Sequence, residues 1–134
     1  MTAERGGNGA GVVTNLSSRS VADTVTRLTD MIAAKGMKTF AVLDQAAAAK
    51  DAGLKLRDTV LVVFGNPAAG TLVMQASPDA ALDRPLKVLV WDEAGQTKVM
   101  YVSPAALAER YNLGPDLQVK LAGIDPLTDA LVRS

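Results

Sequence analysis

The chain has 134 residues, 49% of them hydrophobic and 21% charged, with a formal net charge of zero and neither His nor Cys. That length fits one domain, typically about 100–150 residues, able to bury a core without staples. Scattered Lys and Arg, few aromatics and no apolar run near the roughly 20 residues of a membrane span argue against nucleic-acid and membrane partners.

Residues 1–11 are Gly-rich and lack an apolar segment. They read as a flexible leader rather than a signal peptide, so the expected location is cytoplasmic. Val12-Val13-Thr14-Asn15-Leu16 is β-favouring and reads as the first strand. Ser20 with Asp23 three residues on resembles a capping box, and Val21, Val25, Leu28 and Ile32 recur at helical spacing. A helix is expected over 21–35, closed by Gly36 in the left-handed conformation. Residues 38–43 form a second strand. Asp44 is placed to cap a short helix through Ala46 to Lys50, ended by Gly53. Residues 59–64, an apolar run with β-branched residues, form a third strand. The turn Gly65-Asn66-Pro67 leads into a helix over 68–75, and Ser77-Pro78-Asp79 resembles another cap with Pro at the first helical position.

Residues 86–91 and 97–102 read as two strands joined by a Gly-containing hairpin connection. Ser103-Pro104 and Asp125-Pro126 introduce helices over 105–111 and 127–132. The hairpin imposes antiparallel pairing, so the fold class is α+β rather than a doubly wound parallel sheet. Alternation puts Lys87, Leu89 and Trp91 on one strand face and Val88 and Val90 on the other. Both faces are largely apolar, one to meet helices and one to meet a partner subunit. The charges Asp79, Asp83, Arg84, Asp92 and Glu93 fall in turns or near caps and read as solvated loop charge.

Absence of His removes the commonest general base and the Ser-His-Asp triad. Absence of Cys removes thiolate nucleophiles, and without both residues the usual zinc sites cannot form. No metal site and no cofactor is expected. Carboxylates, Lys, Tyr and backbone N–H groups remain. Two strand-to-helix junctions are the candidate sites. At the first, Asp44 is either a base or a cap, and Gln45 either an amide contact or a solvent-facing residue. At the second, Gly65 permits close approach of a ligand and Asn66 with the first N–H groups of the helix offers donors. The same residues also make an ordinary helix start. Met74, Met100 and Trp91 suit an apolar pocket, the core or a dimer interface.

The chain resembles the bacterial and archaeal family called domain of unknown function 302. The resemblance is carried by Ser20-Val21-Ala22-Asp23-Thr24-Val25 with Leu28, and by Asp44-Gln45-Ala46-Ala47-Ala48-Ala49 with Gly53 and Leu54. It continues in Phe64-Gly65-Asn66-Pro67 with Gly70-Thr71-Leu72 and Met74, and in Ala81-Leu82-Asp83 with Pro85-Leu86-Lys87 and Trp91. It spans residues 12–112. It implies a TATA-binding-protein-like α+β fold, a mainly antiparallel sheet with helices on one face, and a homodimer. Fold similarity of that kind does not imply DNA binding. Relatives commonly carry Asp-His where this chain has Asp44-Gln45, and Gln cannot titrate near neutrality. Residues 113–134 are expected to add a C-terminal helical extension. The reading is thus a homodimeric domain binding a small ligand through Asp44, Gln45, Gly65, Asn66, Gly70, Thr71 and Met74. The alternatives are an enzyme with a carboxylate base and a structural or interaction module without a ligand.

Overall fold

The computed structural model describes residues 6–7 and 11–133. Six strands make one sheet: β1 (Gly6–Gly7), β2 (Val12–Ser17), β3 (Lys38–Asp44), β4 (Thr59–Gly65), β5 (Leu86–Glu93) and β6 (Gln96–Val102). Their order is β1-β2-β6-β5-β4-β3, and every adjacent pair is antiparallel. Among the described residues six helices accompany them: α1 (Val21–Ala34), α2 (Gln45–Asp51), α3 (Pro67–Ala76), α4 (Pro104–Arg110), α5 (Pro115–Leu121) and α6 (Ile124–Arg133). A short 3-10 turn covers Pro78–Asp83.

The alternation written in the strands decides which face is covered. Val13, Val60, Val62, Val88, Val90, Val99 and Tyr101 share the buried face. They form one cluster with Leu28 and Ile32 of α1 and with Leu127 and Leu131 of α6. Each such aliphatic side chain contributes roughly 1.5–3 kcal/mol by leaving water. The opposite face carries Val12, Leu16, Leu61, Val63, Leu89, Trp91, Met100 and Val102, none fully buried.

Helix α1 begins as expected, with Ser20 Oγ accepting from Asp23 N–H at 3.0 Å, and Gly36 follows at φ +73°. Three local expectations change. Ser77 makes no side-chain cap, and the segment after it closes into the 3-10 turn; Ser77 Oγ instead donates to Asp79 Oδ1 at 2.6 Å. Helix α6 begins at Ile124, so Asp125-Pro126 lies inside its first turn instead of ahead of it. Helix α5, introduced by Gly114-Pro115, lies in the expected helical extension but adds a helix ahead of the one expected over 127–132. The flexible leader expected over 1–11 lies outside the described residues apart from Gly6–Gly7, which pairs with Val13 and Thr14, and Gly11. The extension expected over 113–134 packs into the core, with Leu121, Ile124 and Leu127 nearly inaccessible.

One buried group opposes this arrangement. Asn15 is fully buried on the helix-covered face, and neither its Oδ1 nor its Nδ2 has a hydrogen-bond partner. An orphaned buried amide costs about 1–3 kcal/mol. Asn15→Val, an apolar residue suited to a strand, should therefore raise stability by about 1 kcal/mol in urea unfolding. A fall would mean that the amide is satisfied.

Candidate functional site

Antiparallel pairing of β3 with β4 fixes where the two candidate junctions lie. Asp44, at the end of β3, sits opposite Val60 at the start of β4; Gly65, at the end of β4, sits opposite Lys38. From Val60 to Gly65 is roughly 17 Å of strand. The structure therefore separates Asp44 and Gln45 from Gly65, Asn66, Gly70, Thr71 and Met74. They do not form one site within the chain.

Each junction also uses its own polar groups locally. Asp44 Oδ1 accepts from Ala47 N–H at 2.9 Å, a helix cap, and Gln45 is exposed. Asn66 Oδ1 accepts from Ala68 N–H at 3.0 Å and Ala69 N–H at 3.2 Å, while Gly70 N–H bonds Asn66 O. Pro67 has no N–H. Thr71 Oγ1 donates to Pro67 O at 2.7 Å, and Met74 is half-buried on the same helix. The backbone donors that favoured a ligand here are thus already taken by Asn66.

The donor that is not taken belongs to Arg84. Its guanidinium lies over the turn's glycines. A Cβ at Gly70 would collide with Arg84 Nη2 and lie 3.2 Å from its Cζ and Nε; one at Gly65 would lie 3.4 Å from Nη2. Gly70 costs α3 about 1 kcal/mol relative to Ala, and the space it leaves is filled by this side chain. Arg84 Nε is buried without a hydrogen bond, and no carboxylate among the described residues pairs with the guanidinium. Burial pushes its pKa down. On its inner side is a cavity of about 10 Å³ beside Val73, Ala80, Asp83 and Tyr111. That is near the lower limit for one water. Anything larger must reach Arg84 from outside.

Asp83, the preceding residue, is engaged elsewhere. It accepts from Tyr111 Oη and from Arg110 Nη1 at 2.7 Å, with Lys87 Nζ 4.0 Å away. The Tyr111 hydroxyl, aided by Arg110 and Lys87 and opposed by burial, holds the Asp83 carboxyl below its usual range. A general base working near neutrality needs the opposite shift. Neither Asp83 nor Arg84 was a candidate site residue in the sequence, where both read as solvated loop charge. The available signal was a glycine in the interior of a helix, which asks for a packing reason. A depressed carboxylate pKa contributes stability above its unfolded value that is lost as pH falls through the folded value. Asp83→Asn should therefore cost about 1 kcal/mol at neutral pH and soften the acid limb of the stability curve, measured by denaturant unfolding across pH. An unchanged acid limb would show that the Tyr111 and Arg110 contacts contribute nothing.

Among the described residues no helix is long and apolar enough to cross a membrane, and no three His, Cys, Asp or Glu cluster to hold a metal ion. The crystal structure of an uncharacterized conserved protein DUF302 from Bacillus stearothermophilus shares the fold, with a TM-score of 0.78. The two are 22% identical over 92% of this chain and 96% of that one. "Fluoride-specific ion channel FluC 1" of Brucella suis is 41% identical over 106 residues, which are 78% of this chain and 42% of that protein. "Fluoride-specific ion channel FluC 2" of Brucella melitensis is likewise 41% identical, over 78% of this chain and 39% of that protein. The chain spans about two-fifths of the length of these curated relatives. The model of the domain of unknown function DUF302 matches residues 13–131, and the chain belongs to that family.

Proposed function

We propose that this chain is a binding domain for a small anion, which it takes beside the Gly65-Asn66 turn through the Arg84 guanidinium. The observation that carries the reading is Arg84 itself: a half-buried cation, seated over two glycines, with no carboxylate partner among the described residues. Guanidinium offers planar, paired donors suited to a carboxylate or phosphate. Asn66 and Thr71 then shape the turn while Arg84 binds. The carboxylate-base reading is less well supported, because Asp44 caps its helix and Asp83 is held as a stable anion.

The channel relatives fit this reading as longer proteins. The segment they share with this chain is about two-fifths of their length and has no membrane-crossing helix among the residues described here. Fluoride therefore belongs among the anions to be tried. Thermal shift at constant ionic strength, with acetate, phosphate and fluoride, tests the site. One of them should raise Tm with saturation in the wild type and leave Arg84→Met unmoved. A rise that Arg84→Met retains, or no saturable rise with any anion, would remove the proposal.

A homodimer is the second part of the reading, and a separate observation favours it. β3 is an edge strand, and Phe40, Val42 and Leu43 on it are 44–47% exposed, with Leu54 and Leu56 exposed nearby. An edge strand of seven residues with four apolar ones in a row, Phe40 to Leu43, is a template for pairing with a second copy. Sedimentation should find a dimer at micromolar concentration and a monomer for the double variant Val42→Lys with Leu43→Lys. A wild-type monomer would dismiss this part and leave the anion site untouched.

A further inference from the structure

The sheet is split at one end. The β5–β6 ladder runs from Glu93↔Gln96 to Leu89↔Met100 and stops there. Both strands continue, β5 back to Leu86 against β4 and β6 on to Val102 against β2. The alternation of antiparallel hydrogen bonds shows what the split leaves open. Asp92 N–H bonds Asp58 O on the β4 side, so the N–H and C=O of Lys87, five residues away, point toward β6. Ser103 N–H bonds Gly11 O on the β2 side, so those of neighbouring Val102 point toward β5. Two sets of main-chain groups thus face each other across the split with no ladder between them.

The space between them is a cleft of about 340 Å³. That volume lies within the usual range for small-molecule sites, about 300–1,000 Å³. Its walls are aliphatic, from Leu61, Leu86, Leu89, Met100, Val102 and Leu107. Two charged side chains also line it, Asp83 and Lys87. Asp83 is held by Tyr111 and Arg110, whereas Lys87 Nζ has only a 4.0 Å contact with Asp83 and stays 46% exposed. Tyr101, at the inner wall, spends its hydroxyl on Asp125. The cleft therefore offers an apolar interior, main-chain donors and acceptors, and one loosely held ammonium.

We propose that the β5–β6 cleft binds an amphiphilic carboxylate, its hydrocarbon chain between the strands and its carboxylate on Lys87. This site is distinct from Arg84 and does not depend on it. Trp91 reports on the cleft, since its Nε1 donates to Met100 Sδ at 3.0 Å and it is the chain's one tryptophan. The experiment titrates decanoate, below its micelle concentration, into the full chain and follows Trp91 fluorescence and Tm. Decanoate should bind saturably and decylammonium should not. Lys87→Glu should weaken decanoate several-fold and admit decylammonium, Leu89→Glu should abolish decanoate binding, and Arg84→Met should leave it intact. Lys87 is exposed, so its variant tests the site even where Leu89→Glu fails to fold. Absence of saturable decanoate binding, equal binding of both head groups, or binding unchanged in Lys87→Glu would overturn the proposal. Loss of decanoate in Arg84→Met would assign the ligand to the other site and overturn it too.

Discussion

The sheet is covered on one side only, and most of the molecule follows from that. Val62, Val88, Val90 and Val99 are fully buried in one cluster with Leu28, Ile32, Leu127 and Leu131. Nearly all the apolar burial of this small chain is concentrated there. With α1 and α6 committed to that face, the other is left to half-buried aliphatics and the β3 edge stays apolar and unpaired. A chain with so few aromatics cannot afford a second covered face from its own residues. The exposed edge and the open face are therefore consequences of how the core is built.

Antiparallel pairing is the second constraint, and it sorts the polar chemistry. It sends the ends of β3 and β4 to opposite ends of the sheet. One end receives Asp44-Gln45, where the carboxylate caps and the amide faces water. The other receives the end of β4, the start of β5 and the end of β6. Arg84, Lys87, Arg110 and Asp83 gather near it, three cations against one carboxylate.

Sequence periodicity was a sound guide wherever one face of an element is buried. Leu28 and Ile32 at helical spacing, and Val88 and Val90 alternating with Leu89 and Trp91, declared their faces because burial depends on period alone. Ser20, Asp44 and Asn66 were legible as caps because capping is decided within three or four residues. The long-range facts were not legible. Nothing local in Asp44 or Asn66 states that their strands pair antiparallel, so the distance between the two junctions could not be read. Arg84 looked like loop charge because its burial is created by Gly70 fourteen positions earlier, through the close packing of α3 on the 3-10 turn. Asn15 lay within the expected first strand, and nothing local marked it as fully buried without a partner.

The Phe64-to-Thr71 segment is consequently better understood as a seat than as a ligand cradle. Asn66 occupies the N–H groups that an anion would otherwise take, and Gly65 and Gly70 clear the volume that the guanidinium fills. A side chain at Gly70 would act on the fold only weakly, since the far end of Arg84 can swing aside, but it would displace that guanidinium from its place. The glycine thus positions Arg84 rather than serving the turn. Asp83 lines both the small cavity beside Arg84 and the β5–β6 cleft. Its bonds to Tyr111 and Arg110 tie the 3-10 turn to α4, and the two cations that follow it, Arg84 and Lys87, lie beside two different spaces. The 3-10 turn and the start of β5 thereby present one cation to each space: Arg84 with no ion pair among the described residues, and Lys87 with only the 4.0 Å contact to Asp83, a carboxylate already bonded to Tyr111 and Arg110.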